Sequence, residues 1–110
     1  MSTLSTHILD TALGQPAAGV LVLLERRVHD SWQPVARHHT NDDGRIASFT
    51  PDPLPAGHYR LTADIGRWFA AGNREALYVS AQIDVRLGDA GHYHLPFLIS
   101  PWSWSTYRGS

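Results

Sequence analysis

The sequence predicts an all-β fold, a sandwich or small barrel of about eight short strands. Three observations predict it. Ala81, Ile83, Val85 and Leu87 alternate with Gln82, Asp84 and Arg86, which is the two-residue period of a half-buried strand. Turn signals recur at roughly eight- to twelve-residue spacing. Only Gly66 to Glu75, with Trp68, Phe69, Ala70 and Ala71 inside it, has helical character, and it is short. On pattern alone, an immunoglobulin-like sandwich and other sandwiches remain open.

Each element has its own reason. Leu4 to Asp10 is β-compatible and closed by the turn-like Ala12-Leu13-Gly14-Gln15-Pro16. Gly19 to Val28 is apolar almost throughout before Glu25, Arg26 and Arg27, which predicts a strand buried on both faces at first and emerging later. Asp30-Ser31 connects it tightly to Trp32–His39. Asn41-Asp42-Asp43-Gly44 is the strongest turn in the chain, because Asp-Gly supplies the positive φ angles of a hairpin. Arg45–Phe49 follows as a short strand. Thr50–Pro55, with three prolines, is loop. Gly57–Ile65, His92–Ile99 and Ser103–Arg108 complete the set of strands. There is no internal repeat and no low-complexity segment.

Composition narrows the function classes. The 110 residues hold one domain, 1–110, with 43% hydrophobic and 17% charged residues, which suits a globular chain. A formal charge of −1 offers no basic field for nucleic acid or an anionic membrane. With no cysteine, disulfides, thiol chemistry and cysteine-bound zinc are all excluded. The longest apolar run, Ala17 to Leu24, is far short of the roughly 20 residues of a membrane helix. No secretory signal and no Ser-Lys-Leu ending is present, so the expectation is a cytoplasmic protein.

The chemistry concentrates toward the end. His92 and His94 are two apart, so on a strand both imidazoles share a face while Tyr93, Leu95 and Phe97 take the other. The chain closes on Tyr107-Arg108-Gly109-Ser110, which is aromatic and basic where a frayed tail is polar. His92-Tyr93-His94-Leu95-Pro96, Leu98-Ile99-Ser100-Pro101 and this closing tetrapeptide resemble the transthyretin-related 5-hydroxyisourate hydrolases. Leu4-Ser5-Thr6-His7-Ile8-Leu9-Asp10 is similar to that family's opening motif, and Asp43-Gly44-Arg45 adds a match in the middle. By itself His7 reads as a structural histidine and Arg45 as a solvated charge. Leu4–Asp10, Asp43–Arg45, His92–His94 and Tyr107–Ser110, four motifs in the family's order across the whole length, change that balance. The sequence departs from the family at Pro101-Trp102-Ser103-Trp104, where smaller or single-ring aromatics with a glycine are usual; the departure bears on interface packing.

The resemblance implies two four-stranded sheets with one short helix, in a transthyretin-like sandwich. It implies hydrolysis of 5-hydroxyisourate to 2-oxo-4-hydroxy-4-carboxy-5-ureidoimidazoline, in the breakdown of urate to allantoin. It implies His7, Arg45 and His94 as catalytic residues and Tyr107, Arg108, Gly109 and Ser110 as lining the substrate cavity. No metal and no other cofactor is implied, and the partners are the small substrate and other copies of the chain in a homotetramer, a dimer of dimers. The closing tetrapeptide separates the enzymes from the hormone carrier transthyretin.

These residue types suit the reaction. Adding water across a cyclic amide needs a base, and an imidazole with an ordinary pKa near 6.5 can take the proton. A second imidazole can orient the first or protonate the leaving nitrogen. A guanidinium supplies planar, permanently charged donors for an oxyanion. Nothing resembles the Gly-x-Ser-x-Gly elbow of serine hydrolases, so direct attack by water is the simplest route. Two rivals stand beside this. His92, His94 and His7 could form a three-histidine zinc site, although no Asp or Glu within the motifs would orient it. A transthyretin-like carrier of small aromatic ligands is the other, and the tetrapeptide speaks against it. His29, His38, His39 and His58 are expected on the surface.

Overall fold

The computed structural model describes residues 1–110. In chain order the elements are β1 (Ser2–Asp10), β2 (Gln15–Pro16), β3 (Leu21–Val28), β4 (Ser31–His39), β5 (Arg45–Ile46), β6 (Gly57–Ala63), α1 (Ile65–Ala71), β7 (Ala81–Leu87), β8 (Gly91–His94), β9 (Phe97–Ser100) and β10 (Ser103–Thr106). They form the two sheets of a sandwich. One is antiparallel in the order β4-β3-β6-β7. The other is built on β1, with β8 and β9 parallel to it end to end on one side, β2 and β5 antiparallel on the other, and β10 outside β9. Its six short segments thus occupy four lanes.

Several expectations change in detail. His92–Ile99 is two strands, because Pro96 has no N–H for the ladder. Leu95 still ties that joint to β1: its N–H donates to Ser5 O at 3.0 Å and its carbonyl accepts from Thr6 Oγ1 at 2.6 Å. Asn41–Gly44 is a turn but not a hairpin. It carries the chain from β4 in one sheet to β5 in the other. Gly44 adopts φ 74°, and a Cβ there would stand 2.5 Å from Ile8 O, so the close docking on β1 requires glycine. The true hairpin is β3–β4, where Val28 faces Ser31 and His29 takes φ 56°. Arg45–Phe49 shortens to Arg45–Ile46, and the stretch read as a turn at Gln15-Pro16 pairs with β1.

β3 is not buried on both faces. Val22 and Leu24 are buried, whereas Leu21 and Leu23 are half-buried on the outer face. Nineteen apolar side chains fill the space between the sheets, with Tyr59, Phe49, Phe69 and Phe97 the largest. The inner face of β1 contributes Leu4 and Ile8, and ends on Asp10, which is only 1% exposed. Its carboxylate accepts from the Ala12 and Leu13 N–H groups at 3.0 Å and pairs with Arg74 Nη1 at 2.5 Å. Burial opposes the charge on Asp10, but Arg74 and the two amides outweigh it and hold the carboxyl below its usual range. That pair anchors β1 to the segment that follows α1. No helix is long and apolar enough to cross a membrane.

Candidate active site

Strand alternation sorts β1 into an inner row (Ser2, Leu4, Thr6, Ile8, Asp10) and an outer row (Thr3, Ser5, His7, Leu9). The outer row carries the candidate chemistry. His7 sits directly opposite Arg45 of β5, and Ser5 directly opposite His94 of β8. Arg45, which follows the Asn41–Gly44 turn, donates its N–H to Asn41 Oδ1 at 2.9 Å. The docking of Gly44 on β1 therefore fixes where Arg45 emerges. His7 and His94 are half-buried and Arg45 is exposed.

The two imidazoles feel their surroundings alike. Burial lowers the pKa of His7 first, and the Arg45 guanidinium lowers it further, against the opposing pull of the Asp43 carbonyl and carboxylate. Burial also leads in lowering His94, followed by Arg45, His7 and His92. Both rings are consequently neutral near pH 7, next to a fixed positive charge. The arrangement can take a proton from water and stabilise a developing anion.

The chain end comes back to the same place. At the end of β10, Thr106 Oγ1 donates to Pro96 O at 2.8 Å, and beyond it Gly109 N–H donates to His94 O at 2.7 Å. A Cβ on Gly109 would lie 2.5 Å from His94 Cδ2, so only glycine lets the tail pass so close to the ring. The Arg108 guanidinium stacks 4.4 Å over the Tyr93 ring, and Tyr107 and Ser110 are exposed. The structure thus gathers His7, Arg45, His94 and the Gly109 backbone, while the Arg108 side chain packs on Tyr93. The face is uncovered in the single chain, and concavities beside α1, lined among others by Leu21, Arg37 and Trp68, lie away from it.

Sequence reasoning missed the side chains that hold the histidines. Ser5 Oγ lies 2.9 Å from His92 Nε2 and 2.8 Å from His94 Nδ1, and Thr3 Oγ1 lies 2.6 Å from His92 Nδ1. The available hint was position alone: Thr3 and Ser5 share His7's face by the period of two. His92 and His94 do share a face, as their spacing predicts. No group of three His, Asp or Glu side chains is arranged as a metal-ligand set. His29, His38, His39 and His58 are exposed.

Comparison with known proteins addresses the same order of motifs. The description of the HIUase/Transthyretin family matches residues 4–109. The 5-hydroxyisourate hydrolase of Ralstonia nicotianae is 42% identical, with 100% of both chains covered. The solved structure of Klebsiella pneumoniae 5-hydroxyisourate hydrolase superposes with a TM-score of 0.93 at 55% identity, covering 100% of both chains. Sea bream transthyretin in complex with thyroxine superposes with a TM-score of 0.90 at 28% identity, covering 96% of this chain and 93% of that one. Backbone shape scarcely separates the enzyme from the carrier; sequence identity does, by a wide margin. Sandwich topology, motif order and near end-to-end similarity coincide, and the chain belongs to the HIUase/Transthyretin family.

Proposed function

We propose that this chain is a 5-hydroxyisourate hydrolase, converting its substrate to 2-oxo-4-hydroxy-4-carboxy-5-ureidoimidazoline in the breakdown of urate. The observation that carries the reading is the pair of imidazoles, His7 and His94, kept neutral beside the unpaired guanidinium of Arg45. In this reading one imidazole takes a proton from water, and the water oxygen bonds to the cyclic amide carbon. Arg45 faces the oxyanion that forms. The C–N bond then breaks and its nitrogen takes up a proton, supplied by an imidazole. His7, Arg45 and His94 are the catalytic residues, and Tyr107, Arg108, Gly109 and Ser110 line the cavity.

The active species is a homotetramer of single 1–110 domains in the cytoplasm, working without a cofactor. Support for assembly comes from apolar surface left uncovered at the sheet edges. Trp102 is 61% exposed beside β10 and Val79 is 81% exposed before β7. Leu77, also exposed, joins these regions through its N–H bond to Pro101 O. The test is to add purified protein to freshly generated 5-hydroxyisourate and follow its ultraviolet absorbance. Decay faster than the spontaneous rate supports the proposal; decay at the spontaneous rate defeats it.

A further inference from the structure

The reaction as proposed uses His7, Arg45 and His94 and leaves a run of polar side chains beside them without a part. Thr3, His92, Ser5 and His94 form one unbroken chain of contacts, at 2.6, 2.9 and 2.8 Å. The register explains it, since Thr3 is paired with His92 and Ser5 with His94 on neighbouring strands. Both ring nitrogens of His92 and Nδ1 of His94 are engaged. Only Nε2 of His94 lies outside the chain.

We infer that the Thr3–His92–Ser5 chain determines which nitrogen of His94 carries the proton, so that Ser5 and His92 are positioning residues for the proposed hydrolysis. The inference rests on the hydrolase reading for its consequence but not for its geometry. A serine hydroxyl has a single hydrogen, so it cannot donate to both rings at once. The bonds therefore run in one of two senses. In the first, His94 Nδ1–H donates to Ser5 Oγ, Ser5 O–H donates to His92 Nε2, and His92 Nδ1–H donates to Thr3 Oγ1. Nε2 of His94 is then bare and acts as a base. In the second every bond is reversed: Thr3 donates to His92, His92 to Ser5, and Ser5 to His94 Nδ1. Nε2 of His94 then carries the proton and acts as an acid.

Passing from the first sense to the second balances. One proton enters at His94 Nε2 from the attacking water, and one leaves to solvent from the hydroxyl of Thr3. Between them, each hydrogen of the chain moves across its own hydrogen bond. His94 ends neutral, which matters because an imidazolium would form beside the Arg45 guanidinium. Thr3 and His92 are both exposed, so the far end of the chain is wet. Returning to the first sense takes a proton back from solvent as Nε2 delivers its own to the leaving nitrogen.

The experiment compares Ser5→Ala, His92→Ala and His92→Gln with the wild-type protein, reading kcat, KM and the ¹⁵N shifts of the His94 ring. Glutamine places an amide near the Nε2 position of His92 and can donate or accept there. Loss of the Ser5 hydroxyl is expected to lower kcat about 10-fold with KM within about 2-fold, since one oriented hydrogen bond is lost. The His94 ring should shift from one predominant tautomer toward the mixture of a free imidazole. His92→Ala should move both readouts the same way, and His92→Gln should restore most of each. Unchanged His94 shifts in Ser5→Ala overturn the inference even if kcat falls, because the hydroxyl would then only fill space. Should Ser5→Ala fail to fold, His92→Ala against His92→Gln decides by the same readouts. A folded wild-type protein that does not hydrolyse 5-hydroxyisourate defeats the hydrolase reading instead, and the tautomer measurement stands apart from it.

Discussion

The two sheets each present histidines and arginines on an outer face, and they treat them differently. At the centre of the β4-β3-β6-β7 sheet, His58 and Arg60 are answered by carboxylates. His58 Nε2 lies 2.9 Å from Asp84 Oδ1 and meets the edge of Trp32, with ring centroids 5.0 Å apart. Arg60 pairs with Glu25 at 3.1 Å and lies 4.1 Å over the Trp32 ring. On the β1 sheet, His7, His94 and Arg45 make no ion pair. There burial first and then the guanidinium depress the two rings, and the Asp43 carboxylate offsets this only in part, at His7. An answered charge stabilises a surface modestly; an unanswered one beside half-buried imidazoles is a poised group, the pattern expected where chemistry is done.

The largest effects should follow from breaking the unanswered set. His7→Ala and His94→Ala are each expected to cut turnover by about 10²–10⁴-fold. Arg45→Ala should cost about 10²–10³-fold as a lost oxyanion donor. His58→Ala, on the answered face, should leave the rate of 5-hydroxyisourate loss unchanged. Equal losses at His58 and His94 would erase the contrast. The singles should not multiply, so His7→Ala with His94→Ala should lose less than the product of the two.

A second contrast concerns stability and separates burial from mere pairing. Asp10–Arg74 and Asp84–His58 are both ion pairs, but Asp10 is 1% exposed and the Asp84 side chain 56%. Asp10→Ala strands Arg74 and two turn amides, and should lower unfolding free energy by about 3 kcal/mol. Asp84→Ala should cost less than about 1 kcal/mol. Urea titrations of the two variants would settle the ordering, and equal midpoints would show that burial does not matter at β1.

The tail gives the next effect. Deleting Tyr107–Ser110 removes the Gly109–His94 contact and the polar groups of the chain end, and a C-terminal tag replaces the terminal carboxylate of Ser110 by an amide and adds bulk there. With each unpaired buried polar group worth about 1–3 kcal/mol, activity should fall at least about 10-fold. The fold should survive, because the last core side chain, Ile99, lies before the deletion. The same tag placed before Met1 should be much better tolerated. Gly109→Ala should reproduce part of the loss, since its Cβ has no room against His94.

What could be read from the sequence was local. The alternation of β7, the turn at Asn41–Gly44 and the shared face of His92 and His94 depend on neighbours in the chain. What escaped was set by distant partners. Asn41–Gly44 has the stronger hairpin signal of the two turns, ahead of Asp30-Ser31, yet it is the one that changes sheets, because Gly44 docks on Ile8 rather than letting β5 return along β4. Pro96 breaks a ladder that periodicity would continue. Ser5 has no feature of its own until His92 and His94 are placed opposite it. Motif order across the chain pointed to His7, Arg45 and His94, and pairing through β1 supplies the physical reason they meet.

The smallest effect tests the contrast at its source, the field of Arg45. Because His7 and His94 have lowered pKa values, each takes up its proton only below the ordinary histidine range of about 6.5. A reaction needing a neutral imidazole should therefore keep its rate as pH falls through 6.5 and lose it only at lower pH, as the folded-state values are crossed. Stability has a matching sign. A histidine that resists protonation when folded binds fewer protons than its unfolded form, so acidification below the unfolded value favours unfolding. Above that value the two states are alike and the histidines contribute nothing to the pH dependence. The groups facing the pair are Arg45 and Asp43 from the turn and β5, and His92 from β8. Arg45→Met removes the one permanent positive charge among them, leaving burial at both rings and the smaller pushes of His7 and His92 at His94. Proton titrations of the His7 and His94 rings by NMR should then move upward toward 6.5. If both rings titrate in Arg45→Met as they do in the wild-type protein, the guanidinium has no part in their neutrality, and the contrast between the two faces is one of exposure rather than of that charge.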